Sequence, residues 1–216
     1  EIKSDGFSWS GFTSLTFPEK VTKIDYGICY ECRKLVNLTV LGTVTIIEGS
    51  AFRYCTGLKN IIFQDGLKEI HDLAFDYCRS LQKVDLPKSV TSIGLSGFAH
   101  TGLQMIIIPE NLNYLKDDIF RECKSLSSIS IMGNIQKIDS YAFRSCSSLS
   151  SITYYGTTYL SSTPFSSTPA KLVYVTNGYQ YDKWCGLPVI SISSNYFTLS
   201  SNFSESQFFT KSEIFS

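Results

Sequence analysis

The sequence predicts a repeat solenoid of the α/β type. It is a right-handed coil with a parallel sheet on its concave side and short helical or turn-like returns on its convex side. Three observations carry this. Leucines recur at Leu35, Leu58, Leu81, Leu103, Leu126 and Leu149, at intervals of 22 or 23 residues. Each is followed at +3 and +5 by apolar residues: Leu38 and Val40, Ile61 and Phe63, Val84 and Leu86, Ile106 and Ile108, Ile129 and Ile131, Ile152 and Tyr154. An aromatic and then a small residue close each turn, as in Phe52 with Cys55, Phe75 with Cys78, Phe98 with Thr101, Phe120 with Cys123 and Phe143 with Cys146. A fixed period of this size marks stacked units, none of which buries its apolar face alone.

Along the chain, residues 1–176 form the array, about seven turns. Phe12, Leu15, Phe17, Val21 and Ile24 fill the slots of a first turn, and residues 7–12 align with 98–103 as the tail of an earlier one. In each turn the Leu-x-x-Ile-x-Ile stretch puts its second and third apolar residues on one face of a short strand, because strand side chains alternate with period 2. Pro18, Pro87 and Pro109 follow three of these strands, where a missing N–H ends the pairing. A second apolar pair follows each strand, for example Val44 with Ile47 and Val90 with Ile93. Ile152, Leu160, Phe165 and Thr168 make a shortened turn, and Ala170, Val173 and Val175 supply a last strand. About eight strands at a spacing of ~4.8 Å predict a sheet about 35–40 Å long. Residues 177–190 break the period and carry Tyr179, Tyr181, Trp184 and Cys185, side chains suited to covering the last turn as a C-terminal cap. Residues 191–216 are Ser-rich with Phe197, Phe203, Phe209 and Phe215 six apart. They read as a low-complexity tail or linker, with docking onto the array as the alternative.

Composition narrows the function. Lys+Arg and Asp+Glu both number 19, so the net charge is zero. That argues against nucleic acid and against polybasic membrane attachment, both of which need a basic surplus. No apolar run approaches the ~18 residues that span a bilayer, so no membrane span is expected within this chain. The chain begins at Glu1, with neither an initiator Met nor a signal-peptide core, and reads as a mature product or a piece of a longer protein.

The pattern Leu-x-x-Ile-x-Ile-Pro-x-x-Val-x-x-Ile-x-x-x-Ala-Phe-x-x-Cys resembles the BspA-like class of leucine-rich repeats, found in surface proteins of mucosal bacteria and parasitic protists. The resemblance covers most of the chain, and residues 172–189 look like the closing segment that follows such arrays. It implies a leucine-rich-repeat solenoid in a cell-surface or secreted adhesin-type protein that contacts a host or extracellular-matrix protein. It does not identify the ligand.

The search for chemistry comes back empty. Of the 7 cysteines, Cys29 and Cys32 form a Cys-x-x-Cys pair that would suit a redox or zinc site. The repeat register explains them otherwise. Cys32 shares the slot of Cys55, Cys78, Cys123 and Cys146, and Cys29 falls where other turns place Phe. Both are expected in the interior as free thiols, small buried hydrophobes. His71 and His100 fall at turn positions and are expected in solvent, as is the Asp117-Asp118 pair. No phosphate-binding Gly-rich loop, nucleophile elbow or His-Glu-x-x-His is present. The expectation is therefore a non-enzyme without cofactor or metal.

The concave face remains. Its outward rows are small and polar, with Leu41, Ile62, Met105, Ile107, Met132, Tyr155 and Tyr174 set among them. Apolar anchors ringed by polar residues on a rigid sheet suit a protein partner. Sequons stand at Asn37-Leu-Thr39 and Asn202-Phe-Ser204, possible N-glycosylation sites, the first on the concave row. An intracellular, cytoplasmic scaffold is the alternative, consistent with unpaired cysteines.

Overall fold

Every strand in a coil of this length must find its backbone partners in the coil before and the coil after. Parallel pairing follows, because each chain pass returns in the same direction. The computed structural model describes residues 5–176 and 178–192. On the concave side run β1 (Ser14–Thr16), β3 (Asn37–Val40), β5 (Asn60–Phe63), β8 (Met105–Ile108), β10 (Ser128–Ile131), β12 (Ser151–Tyr154), β13 (Val173–Thr176) and β15 (Leu187–Ile192). On the flank run two-residue strands: β2 (Lys23–Ile24), β4 (Ile46–Ile47), β6 (Glu69–Ile70), β7 (Ser92–Ile93), β9 (Tyr114–Leu115) and β11 (Lys137–Ile138). The repeat residues stand rung on rung. Leu38 pairs with Ile61, and Ile106, Ile129 and Ile152 align in turn.

The core is one column. The six repeat leucines are fully buried, as are Phe52, Phe75, Phe98, Phe120 and Phe143. From Phe52 to Phe165 the rings of successive coils stack face to face, with centroids 5.0–6.2 Å apart. Each coil thereby closes the one below it, which is why a single coil has no stability of its own.

The returns correct one expectation: among the described residues there is no helix. The Phe-x-x-Cys segment is instead a run of turns. Ser50, Tyr54, Leu73, Tyr77, Ser96, His100, Asp118 and Glu122 all have φ near +60°. Left-handed residues twice per return are incompatible with a right-handed helix. Their effect is to alternate the amides. Ala51, Arg53 and Cys55 bond back to Glu48, Ser50 and Phe52, whereas Ser50, Phe52 and Tyr54 bond across to Asp72, Ala74 and Asp76 of the next coil. The description of the fold as α/β therefore gives way to a β-solenoid of about seven turns.

The concave ladder is also interrupted. Residues 82–86 form no strand, so β1, β3 and β5 make one sheet while β8, β10, β12, β13 and β15 make another. The turn from Leu81 to Leu103 is the one shortened to 22 residues, it carries Asp85 at mid-strand, and Pro87 follows. Asp and Pro are both poor strand formers. The flank ladder breaks at the same level, between β7 and β9.

The C-terminal end is closed by aromatic packing. Trp184 is fully buried, stacks 4.4 Å from Tyr154, and donates its indole N–H to the Thr158 carbonyl. β14 (Lys183–Trp184) runs antiparallel to β15, and β15 itself joins the concave sheet beside β13. No helix of the described residues is long and apolar enough to cross a membrane.

Candidate protein-binding face

Alternation along the strands decides what the concave face presents. In β8, β10 and β12 the second and fourth residues are buried and the first and third are half-exposed. Met105 and Ile107 of β8 thus point outward, and Ile107 lies beside Ser130, then Thr153, Tyr174 and finally Ile190 along one row. Met132 and Tyr155 follow the ends of β10 and β12. Their amides bond to the Ile108 and Ile131 carbonyls, which holds them on adjacent coils at the same level. Five of the seven anchors, Met105, Ile107, Met132, Tyr155 and Tyr174, therefore belong to one hydrogen-bonded sheet. Leu41 and Ile62 stand apart on the N-terminal sheet, beyond the break at residues 82–86. Ile62 is 60% exposed, whereas the other six are half-buried. Burial pushes the Tyr155 phenol above its ordinary range, so it stays neutral and acts as an apolar surface with a donor tip.

Ile190 was not legible as part of this face. It is 44% exposed and extends the middle row by one strand. The alternation in Leu187–Ile192 was the available signal, but it is separated from the array by the irregular stretch 177–186, which hides its register. Of the two sequons, Asn37 is exposed on β3, where its side chain accepts from Asn60 at 2.7 Å and donates to Ser14 at 3.3 Å. Asn202, like Phe197, Phe203, Phe209 and Phe215, lies outside the described residues.

The titratable groups elsewhere behave as structural fittings. All seven cysteines are buried and free. Each thiol of the repeat slot donates to a carbonyl of the preceding coil: Cys32 to Phe7, Cys55 to Cys29, Cys78 to Phe52, Cys123 to Phe98 and Cys146 to Phe120, at 2.9–3.3 Å. Burial pushes Cys123 up to about 11 and Cys185 up to about 12, so these thiols stay protonated. Around the Cys-x-x-Cys pair, Cys32 donates to the Phe7 carbonyl at 2.9 Å, and Cys29, Cys32 and Cys55 are all sealed from solvent. Among the described residues, no three His, Cys, Asp or Glu side chains are placed to hold a metal ion.

The histidines differ from expectation. His100 is not a solvated turn residue: its side chain is 16% exposed, and Nδ1 lies 2.8 Å from Oδ1 of buried Asp76, which also accepts from Arg53 at 2.9 Å. His71 lies in a groove of about 460 Å³ on the flank, with Nδ1 2.9 Å from Glu48 and Nε2 3.1 Å from Glu69. Burial alone would lower its pKa, but the Glu69 and Glu48 carboxylates outweigh that and raise it.

A stacked parallel coil with a 22–23-residue period and a polar concave sheet defines a leucine-rich-repeat solenoid. Six copies of the BspA type leucine rich repeat region match the sequence over residues 1–126, 68–185 and 120–215, and the chain belongs to that family. No curated protein gives a significant match. Solved structures of similar fold include a leucine-rich repeat protein from Bacteroides ovatus, 22% identical over 79% of this chain and 55% of its own, with a TM-score of 0.56. The pneumococcal vaccine antigen PcpA is 21% identical over 70% of this chain and 38% of its own, with a TM-score of 0.61. The leucine rich repeat protein of T. pallidum is 24% identical over 67% of this chain and 73% of its own, with a TM-score of 0.58. The chain thus spans about half the length of the B. ovatus protein. At these identities the likeness is one of fold.

Proposed function

We propose that this chain is a non-catalytic protein-binding module of a cell-surface or secreted adhesin-type protein, and that it engages a host or matrix protein through the concave sheet. The supporting observation is that Met105, Ile107, Met132, Tyr155 and Tyr174, with Ile190, share one continuous sheet, and that the other outward positions of β10 and β12 are Ser128, Ser130, Ser151 and Thr153. Apolar anchors fixed by a backbone ladder lose little entropy on binding, and a polar surround keeps the face soluble when empty. Membership of the BspA-type family and the fold shared with a pneumococcal antigen favour an extracellular setting. The alternative, an intracellular scaffold, draws on the seven free cysteines.

The test is capture from immobilised matrix and cell-surface proteins by the wild type and by the double variant Met105→Thr with Ile107→Thr, which removes the apolar anchors but keeps strand-forming residues. Retained partners lost from the variant, with its cooperative melting transition kept, support the reading. A variant that captures the same partners removes the concave face from consideration.

A further inference from the structure

Zero net charge conceals a segregation of charge. On the return ridge, from the Phe slot to the residue after the Leu slot of each coil, stand Arg33, Lys34, Arg53, Lys59, Arg79, Arg121, Lys124 and Arg144, against the carboxylates Glu31, Asp76 and Glu122. Six of these cations are exposed, and none of the three carboxylates is. The acids are turned to internal use. Glu31, 12% exposed, holds Arg33 at 2.6 Å; Asp76, 2% exposed, holds Arg53 and His100; Glu122 lies 3.7 Å from Lys124 and from His100. Arg79 and Arg144 rest over the rings of Tyr77 and Tyr141 rather than on a carboxylate.

The cations are also in line. Arg33, Arg79 and Lys124 occupy the slot immediately after Cys32, Cys78 and Cys123, on alternate coils, so successive charges fall about 10 Å apart at two strand spacings each. Arg33 and Lys124 leave 66% and 70% of their side chains in solvent. Alongside runs a wall of rings, Tyr54 on Tyr77 at 4.8 Å and Tyr77 on His100 at 4.0 Å, with Trp9, 68% exposed, at its N-terminal end.

We propose that this ridge binds a sulfated linear polysaccharide of the glycosaminoglycan class, lying along the solenoid axis. Sulfate is a diffuse anion that the guanidinium fork matches well. The spacing of two coils corresponds to one disaccharide of a linear glycan, and the flat rings offer apolar contact to sugar faces. Duplex DNA, with one charge per ~1.7 Å of axis, is far denser than this row. The surface is distinct from the concave face and does not depend on it.

The test measures heparin binding in 150 mM salt by the full chain, by Arg33→Ser/Arg79→Ser/Lys124→Ser, and by an off-ridge control, Lys20→Ser/Lys68→Ser/Lys88→Ser. Arg79→Glu alone provides a second ridge variant, and all are checked for unchanged melting. The expected result is at least ~30-fold weaker binding by the ridge triple and less than ~3-fold by the control, with a shallower salt slope for the former, since each released counterion steepens it. Desulfated heparin should bind at least ~30-fold more weakly than heparin. The proposal is overturned if wild type does not bind heparin or if ridge and control variants lose binding equally. Binding of desulfated heparin, polyglutamate or a DNA duplex as tightly as heparin overturns it as well.

Discussion

The cysteine ladder ties one residue type to one backbone need. The carbonyl of the Phe slot accepts one amide from its own coil, as Phe52 does from Cys55, and turns its second lone pair toward the next coil, where Cys78 reaches it. A small side chain with a weak donor meets it there without spreading the coils, and Thr101 serves the same slot by donating to Phe98 of its own coil at 2.9 Å. Replacing Cys78 by Ala removes a donor and leaves a small void, which should cost about 1–2 kcal/mol in urea unfolding. Cys78→Thr should cost less than ~1 kcal/mol, because threonine already fills the slot twice. The repeat register placed these residues inside, but their partners were invisible to it, since each lies one coil away. The same distance hid the Asp76 partner of His100. His71 adds a pH term. Its folded pKa is raised, so its stabilisation is full below the ordinary value near 6.5 and fades as pH rises above it. The imidazole is 38% exposed, so after solvent screening the effect should stay below about 0.5 kcal/mol. Urea midpoints should fall between pH 6 and 8 by more in wild type than in His71→Gln; equal falls would remove the Glu48–His71–Glu69 contact from the account.

At the scale of elements, strands were readable and returns were not. The spacing of Leu38 and Val40, or of Ile106 and Ile108, fits only a strand, whereas Phe52 and Cys55 at i and i+3 fit a helix and a turn equally well. Nothing in Tyr54, Leu73 or Tyr77 advertises a left-handed backbone, which usually shows as Gly or Asn. That conformation is imposed by the cross-coil bonds of Phe52, Tyr54 and Phe75, a tertiary cause. The gap at residues 82–86 has a local cause that the apolar pattern masked, because Val84 and Leu86 keep their slots while Asp85 between them disfavours the strand. Asp85→Thr should restore a β-forming residue beside Ile62 and Ile107 and raise unfolding stability by about 0.5–1 kcal/mol. A loss of stability would mean that the Lys83–Asp85 pair at 3.1 Å, and not strand propensity, governs this coil.

At the scale of the molecule, three surfaces divide the work: a polar concave sheet with apolar anchors, a flank where His71 bridges Glu48 and Glu69, and a cationic ridge of returns. All depend on the coils being stitched together on both sides, through the strands and through the alternating amides of the turns. Amide hydrogen exchange followed residue by residue tests that claim most directly. The amides of Phe52, Phe75, Phe98 and Phe120, which bond across coils, should exchange as slowly as those of Ile129 and Ile152 in the concave ladder. Returns that exchange freely while the strands stay protected would contradict the stitched solenoid, and with it the rigid faces on which both binding proposals stand.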